Sequence, residues 1–306
     1  MLTRENYRGV VVIGERGRHD DDKLDEDGLH RTLEFCFDAG VHGIVATANA
    51  SEAGYLSEAE RRRIAEIVVN EARGKAVSVV GVSTPCAALS IPFAQHAEAI
   101  GADAIMAMPP TFQKASEAEI RHYYDRLSQA TKLPLVLQDF SGPGGTPMSA
   151  KLLADLAREL PNAHFIKEET DFAPIVMSEI NSLGGDAVHG IMGGKAGLKL
   201  MDEFRRGACG TMPACEVADV HVAVWKALEQ GDMAAVRHMF RLLLPLISFE
   251  MGYGAAIYKE VLRRRGIIGS SVFRQTGGRR LDENAHAELT DILNELKPLM
   301  LEKYQP

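Results

Sequence analysis

The chain has 306 residues, of which 46% are hydrophobic, and a formal net charge of −8. That length suits one large α/β domain, or a barrel with an appendage, better than two equal domains. The acidic balance and the lack of a long basic run argue against a nucleic-acid or anionic-membrane partner, and no apolar stretch approaches the length that spans a bilayer.

Short apolar runs then alternate with amphipathic segments. Gly9–Ile13 reads as a first strand, and Asp27 opens a helix with Leu29, Leu33, Cys36 and Phe37 on one face, stopped by Gly40. Gly43–Thr47 is a second strand, followed by a helix that Ser57 and Glu60 open as a capping box and Gly74 closes. After the third strand, Ala76–Val82, Pro92 fits the first turn of a helix and Gly101 its end. The fourth strand, Ala104–Met108, leads to a second capping box, Ser116 with Glu119. Pro134–Gln138 is the fifth, and Ser149 begins a helix striped by Leu152, Leu153, Leu156 and Leu160. His164–Lys167, Ala187–Gly190 and Ala208–Met212 complete a set of eight.

Strands alternating with helices pair in parallel through right-handed crossovers. Eight such units favour a closed (β/α)8 TIM barrel over an open sheet. From Glu216 onward only helical periodicity is visible, broken near Gly231, Gly252–Gly254, Gly266–Ser271 and Gly277–Gly278. The expected organisation is a barrel over residues 1–215 and a C-terminal helical appendage over 216–306.

This architecture changes the meaning of "FIKEET", Phe165–Thr170. A lysine ending an isolated strand simply points into water. At the C-terminal end of a barrel strand it points into the active-site mouth. Desolvated there, its amine can attack a ketone and form a Schiff base. Of the two glutamates that follow, one can pair with a basic neighbour and the other can face the site, and the sequence leaves open which does which.

With that lysine placed, the chain resembles the dihydrodipicolinate synthase / N-acetylneuraminate lyase family of class I aldolases and dehydratases. The resemblance runs through "GIVATANASEAGYLSEAER", "GADAIMAMPP", "FIKEET", "RRGACGTMP" and "KEVLRRRG". It implies a barrel with C-terminal helices, assembly as a homo-oligomer (dimer or tetramer), a small-molecule 2-keto acid substrate, no cofactor, and a Schiff base at Lys167. The family's carboxylate-binding loop corresponds here to Ala48-Asn49-Ala50-Ser51-Glu52, so Asn49, Ala50 and Ser51 are its implied substrate contacts. The tyrosine that usually ends the fifth strand and shuttles protons is replaced by Gln138, which cannot titrate. The arginine that binds the second carboxylate in synthases is missing from "FSGPGGTP", which argues against synthase activity. "NASE", "MAMPP", "QD" and a glycine-rich seventh-strand loop look most like the L-2-keto-3-deoxyarabonate dehydratase branch.

Other signals carry less. "GIMGGKAG", Gly190–Gly197, is one residue short of a Walker motif and has Ala196 where Ser or Thr is needed. It reads instead as a cap on the barrel mouth, with Gly190, Gly193 and Gly194 offering backbone N–H groups to substrate. "KLDEDGLHRTLE" mimics a calcium loop but begins with Lys23, so its acids read as a helix N-terminus. His189 can line the pocket or be a satisfied structural histidine. The histidines show no paired ligand spacing, and no metal is expected. Arg61–Arg63 and Arg263–Arg265 read as solvated helix faces. The N-terminus lacks an apolar signal core and the four cysteines show no CxxC, so a reducing cytoplasm is expected. The function these readings support is a Schiff-base lyase that dehydrates a 2-keto-3-deoxy sugar acid. Its rivals are a pyruvate-dependent aldolase and a keto-acid-binding protein without turnover.

Overall fold

The computed structural model describes residues 1–14, 23–111, 113–274 and 280–306. Eight strands pair in sequence order, all in parallel, and close into a barrel. They are β1 (Gly9–Ile13), β2 (Gly43–Ala46), β3 (Val77–Gly81), β4 (Ala104–Ala107), β5 (Leu135–Phe140), β6 (Phe165–Glu169), β7 (Gly190–Gly193) and β8 (Gly210–Thr211). Side chains alternate between two apolar environments. Val11, Ile13, Val45, Val79, Met106, Val136, Phe165, Met192 and Met212 fill the interior together with Tyr7. Val10, Val12, Ile44, Ile105, Leu137 and Ile166 face the surrounding helices. Both faces are dry, which is why the strands read as continuous apolar runs.

The helices start where their caps dictate. Ser57 opens α2 (Glu58–Ala72) and Ser116 opens α4 (Glu117–Ala130), each as a complete capping box, and Ser149 caps α5 (Ala150–Glu159). Asp25 caps α1 (Glu26–Ala39) by accepting the Gly28 N–H at 2.7 Å, so the calcium-like segment is a helix start. In α3 (Ala87–Ala99) Pro92 lies in the interior, not the first turn, because the helix already begins at Ala87. α6 (Ala173–Gly184) and α7 (Leu200–Arg205) flank β7.

The seventh strand lies three residues later than expected. Gly185–Ala187 form a turn of 3-10 helix and pairing with β6 begins at Gly190, opposite Phe165. Alanine and valine at 187–188 are as apolar as isoleucine and methionine at 191–192, so only the register with β6 distinguishes them.

Past β8, α8 (Ala218–Gln230) packs on β1 and α1 as the barrel's eighth helix. α9 (Met233–Tyr253), α10 (Ala255–Arg264) and α11 (Glu283–Leu296) stand outside the ring. They share one continuous apolar cluster with the α1 and α8 side of the barrel. The break expected at Gly277–Gly278 lies outside the described residues. Two arginines expected in solvated faces are buried. Arg265 forms a bidentate pair with Asp219 at 3.0 and 2.6 Å and lies over the Phe35 ring, and Arg61 donates to the carbonyl of Gly81. Among the described residues no helix is long and apolar enough to cross a membrane.

Candidate active site

The parity of β6 sets the site. Phe165 points into the barrel, so Lys167 and Glu169 do too. Lys167 is 2% exposed, and its Nζ lies 2.9 Å from Glu169 Oε1. Gln138 on β5 is the register partner of Lys167 and donates its amide Nε2–H to the same Oε1 at 2.5 Å. One carboxylate oxygen is thus shared by the candidate nucleophile and the amide that stands in place of a tyrosine. Gly194 closes this group from above: a Cβ there would lie 2.4 Å from Glu169 Oε2. Beneath it, Tyr7 plugs the barrel, packing edge-on against Phe165 and donating its hydroxyl to the Ile166 carbonyl at 3.0 Å. Burial pushes that phenol well above its ordinary pKa, which suits a structural plug.

Glu168 points the other way, between barrel and helices. Its Oε1 accepts from the Thr170 N–H at 2.9 Å and hydroxyl at 2.5 Å. Its neighbour across the ladder is Asp139, whose Oδ1 accepts the Met148 N–H at 2.8 Å. The second oxygen of each acid has no N–H or hydroxyl partner among the described residues, so the two carboxyls are left to share a proton. Burial raises both; repulsion from Glu168 adds to the rise at Asp139, which reaches about 9, and repulsion from Glu169 adds to the rise at Glu168. Burial also pushes Glu203 on α7 up to about 8, against the pull of Lys199. Asp139 and Glu203 are thus held mostly protonated at pH 7, behind the strands and not in the mouth.

The expected substrate contacts divide. Asn49 is exposed at the rim and donates its amide to Met108 Sδ at 3.3 Å; Ala50 packs against the interior cluster. The Ser51 hydroxyl closes its own turn, accepting from the Ala48 N–H at 2.9 Å and donating to the Ala48 carbonyl at 3.0 Å. Glu52 is strained, with φ 53°, and its carboxylate holds Lys259 of α10 and the Arg274 N–H, tying this loop to the C-terminal region. Gly190 is a correction. It opens β7 at the opposite end of the barrel, against Tyr7 and Cys209. Gly193 is another: it faces outward, where a Cβ would collide with the Glu203 carboxylate. Only Gly194 of the three adjoins the Lys167 group. His189 precedes β7, stacked on His164 with centroids 4.5 Å apart, in the structural role. Glu169 was the residue left open by the sequence. Its signal was present, since residues two apart on a strand share a face.

The closed parallel barrel and the helical C-terminus agree with comparison to known proteins. The sequence pattern described as the dihydrodipicolinate synthetase family matches residues 7–296. The chain belongs to this family. L-2-keto-3-deoxyarabonate dehydratase of Azospirillum brasilense is 30% identical over 303 residues, 96% of each chain. An Escherichia coli (strain K12) protein named "Probable 2-dehydro-3-deoxy-D-pentonate aldolase" is 24% identical over 246 residues, covering 79% of this chain and 81% of that one. Among solved structures, dihydrodipicolinate synthase from Rhodopseudomonas palustris superposes with a TM-score of 0.89 at 27% identity, over 96% of this chain and 99% of that one. Members of the family with such names are lyases, and this chain is a class I aldolase or dehydratase of that family.

Proposed function

We propose that the protein dehydrates a 2-keto-3-deoxy sugar acid, such as 2-keto-3-deoxy-L-arabonate, through a Schiff base on Lys167. The observation that carries this reading is the shared carboxylate of Glu169, 2.9 Å from the amine, with Gln138 where an aldolase would place a phenol. Glu169 takes the proton that the ammonium must lose before attack. The neutral amine adds to the C2 ketone and the carbinolamine loses water to give an iminium. That cation acidifies C3, and a carboxylate removes a C3 proton to form the enamine. The resulting carboxylic acid returns its proton to the C4 hydroxyl, which leaves as water. A C5 proton is then lost to leave an enol across C4 and C5; C3 and C4 are each protonated and the enol hydroxyl gives up its proton, which makes C5 an aldehyde. Hydrolysis of the imine releases a 2-keto acid semialdehyde and restores Lys167. The net change is loss of one water, with no redox partner.

One carboxyl group can serve both proton transfers, because uptake at C3 charges it for donation at C4. The 2-keto-3-deoxyarabonate dehydratase similarity supports the same exit. The test is incubation with pyruvate and borohydride followed by peptide mapping, then NMR of products from 2-keto-3-deoxy-L-arabonate. A single reduced adduct on Lys167, lost in Lys167→Ala with all turnover, and a semialdehyde signal without free pyruvate are expected. An adduct on another lysine overturns the assignment, and pyruvate formed in step with a two-carbon aldehyde overturns dehydration in favour of aldol cleavage.

A further inference from the structure

The turn that follows β2 is strained at both ends. Thr47 has φ 56° and Glu52 φ 53°, so a residue with a Cβ sits in the left-handed region on either side of Ala48–Ser51. Such strain persists only where surrounding contacts fix it, and it collects at functional sites. At the first end the Thr47 hydroxyl donates to the Gly81 carbonyl on β3 at 2.9 Å. At the second, the Glu52 carboxylate pairs with Lys259 of α10, and its Oε1 accepts the Arg274 N–H at 2.7 Å. Lys259 also donates to the Val272 carbonyl at 3.0 Å. The side chains of Glu52 and Lys259 are 2% and 0% exposed. A buried ion pair adds little net stability over apolar residues of the same size, yet neither partner can leave the other without stranding a charge. Its contribution is therefore to fix where Glu52 lies.

Between these anchors the turn is folded on itself. The Ser51 hydroxyl bonds both the N–H and the carbonyl of Ala48, and the Glu52 N–H donates to the Asn49 carbonyl at 3.0 Å. The backbone N–H groups of Asn49 and Ala50 make no hydrogen bond among the described residues. Successive N–H groups in a turn form an anion-binding concavity. Ala50 packs on the interior cluster, which lays the turn over the barrel mouth that Lys167 faces. The two donors keep their places only while Glu52 is held from α10.

We propose that Lys259 is a positioning residue for substrate binding: through Glu52 it holds the Asn49–Ser51 turn in the form that receives the C1 carboxylate of the keto acid. The C-terminal helical region thereby sets keto-acid affinity without touching the substrate. The proposal rests on the Schiff-base reading above. The C1 carboxylate takes no part in the bonds that form and break, so the turn binds it alike before and during reaction. Loss of such uniform binding raises KM and leaves kcat unchanged.

The experiment titrates borohydride trapping with pyruvate and with its neutral amide, pyruvamide. The proteins are full-length wild type, Lys259→Met, the double variant Glu52→Gln/Lys259→Met, and Asp219→Asn. Lys259→Met should raise the half-saturating pyruvate concentration about tenfold, the size of one lost charge-assisted hydrogen bond, and shift pyruvamide by less than about twofold. KM for 2-keto-3-deoxy-L-arabonate should rise with pyruvate, with little change in kcat. The double variant strands no charge, so it should recover Tm but not pyruvate affinity. Asp219→Asn breaks the Arg265 pair, whose side chains are 0% and 3% exposed. It should lower Tm and leave both half-saturation values in place, so lost stability cannot mimic the result. The proposal is overturned by an unchanged pyruvate value in the Lys259 variants, by equal shifts for pyruvate and pyruvamide, by affinity that returns with Tm in the double variant, or by the same shift in Asp219→Asn. Absence of the pyruvate adduct in wild type instead overturns the Schiff-base reading and this proposal with it.

Discussion

Glu169→Gln separates the chemistry of the site from its architecture. The substitution keeps the shape of the side chain and an oxygen able to accept from Lys167 and Gln138, but it removes the only described carboxylate in contact with the amine. Loss of a positioned acid–base group typically lowers a rate by roughly 10²–10⁴-fold, equivalent to about 3–5 kcal/mol of transition-state free energy. Turnover of the sugar acid should fall by that factor in kcat. Folding is also affected. Lys167 and Glu169 are buried at 2% and 6% exposure, and breaking a buried ion pair from one side costs about 3–5 kcal/mol. The retained amide oxygen should recover part of this, so Tm should drop without loss of cooperative unfolding. The assay is steady-state turnover beside borohydride trapping with pyruvate and thermal melting. A folded variant that still forms the Lys167 adduct, more slowly, yet barely turns over fits the argument. Turnover within about threefold of wild type would show that Glu169 handles no proton and that the carboxylate merely orients the lysine.

Gly194→Ala places a methyl group 2.4 Å from Glu169 Oε2 and 2.5 Å from its Cβ. Overpacking of this kind costs about 1–3 kcal/mol, so the variant should melt earlier and trap pyruvate slowly. Gly252→Ala, inside α9 with nothing within 4 Å, should trap pyruvate as wild type does and melt no earlier, since alanine is the better helix former. Glu216 and Glu250 form a second buried acid pair, and none of their four oxygens has an N–H or hydroxyl partner among the described residues. Burial raises both, and repulsion from Glu216 adds to the rise at Glu250. Raised acids bind more protons folded than unfolded, so their stabilisation is complete below the ordinary glutamate value of 4.5 and is lost as pH climbs. Glu250→Gln gives Glu216 a permanent donor and should flatten the decline of Tm as pH climbs above the ordinary glutamate value of 4.5. Asp139 and Glu203, raised to about 9 and about 8, should leave some slope. His221, lowered to about 4 by burial, acts in the opposite sense and only below its ordinary value of 6.5. Equal slopes in the two proteins would mean that the pair is not protonated when folded.

Much of this protein is legible in its sequence because local physics leaves marks there. Strands buried on both faces must be apolar throughout, so β1 and β4 appear as runs of valine, isoleucine, methionine and alanine. Orphan N–H groups at helix starts need acceptors, so Ser57, Ser116 and Ser149 announce α2, α4 and α5. The count of eight strands and the place of Lys167 at the end of the sixth follow from those marks. What the tertiary structure alone decided involves partners distant in sequence. The start of β7 depended on which of two equally apolar pairs met β6. Arg61 and Arg265 are buried because a carbonyl on β3 and an aspartate on α8 receive them, and no local pattern encodes either partner. The inward role of Glu169 required knowing that β6 continues for two residues past Lys167. Gln138 reaches that carboxylate from β5 and Gly194 from the turn after β7. Periodicity specifies which face a residue takes, but barrel closure and register bring three separate segments, β5, β6 and the turn after β7, to one carboxylate.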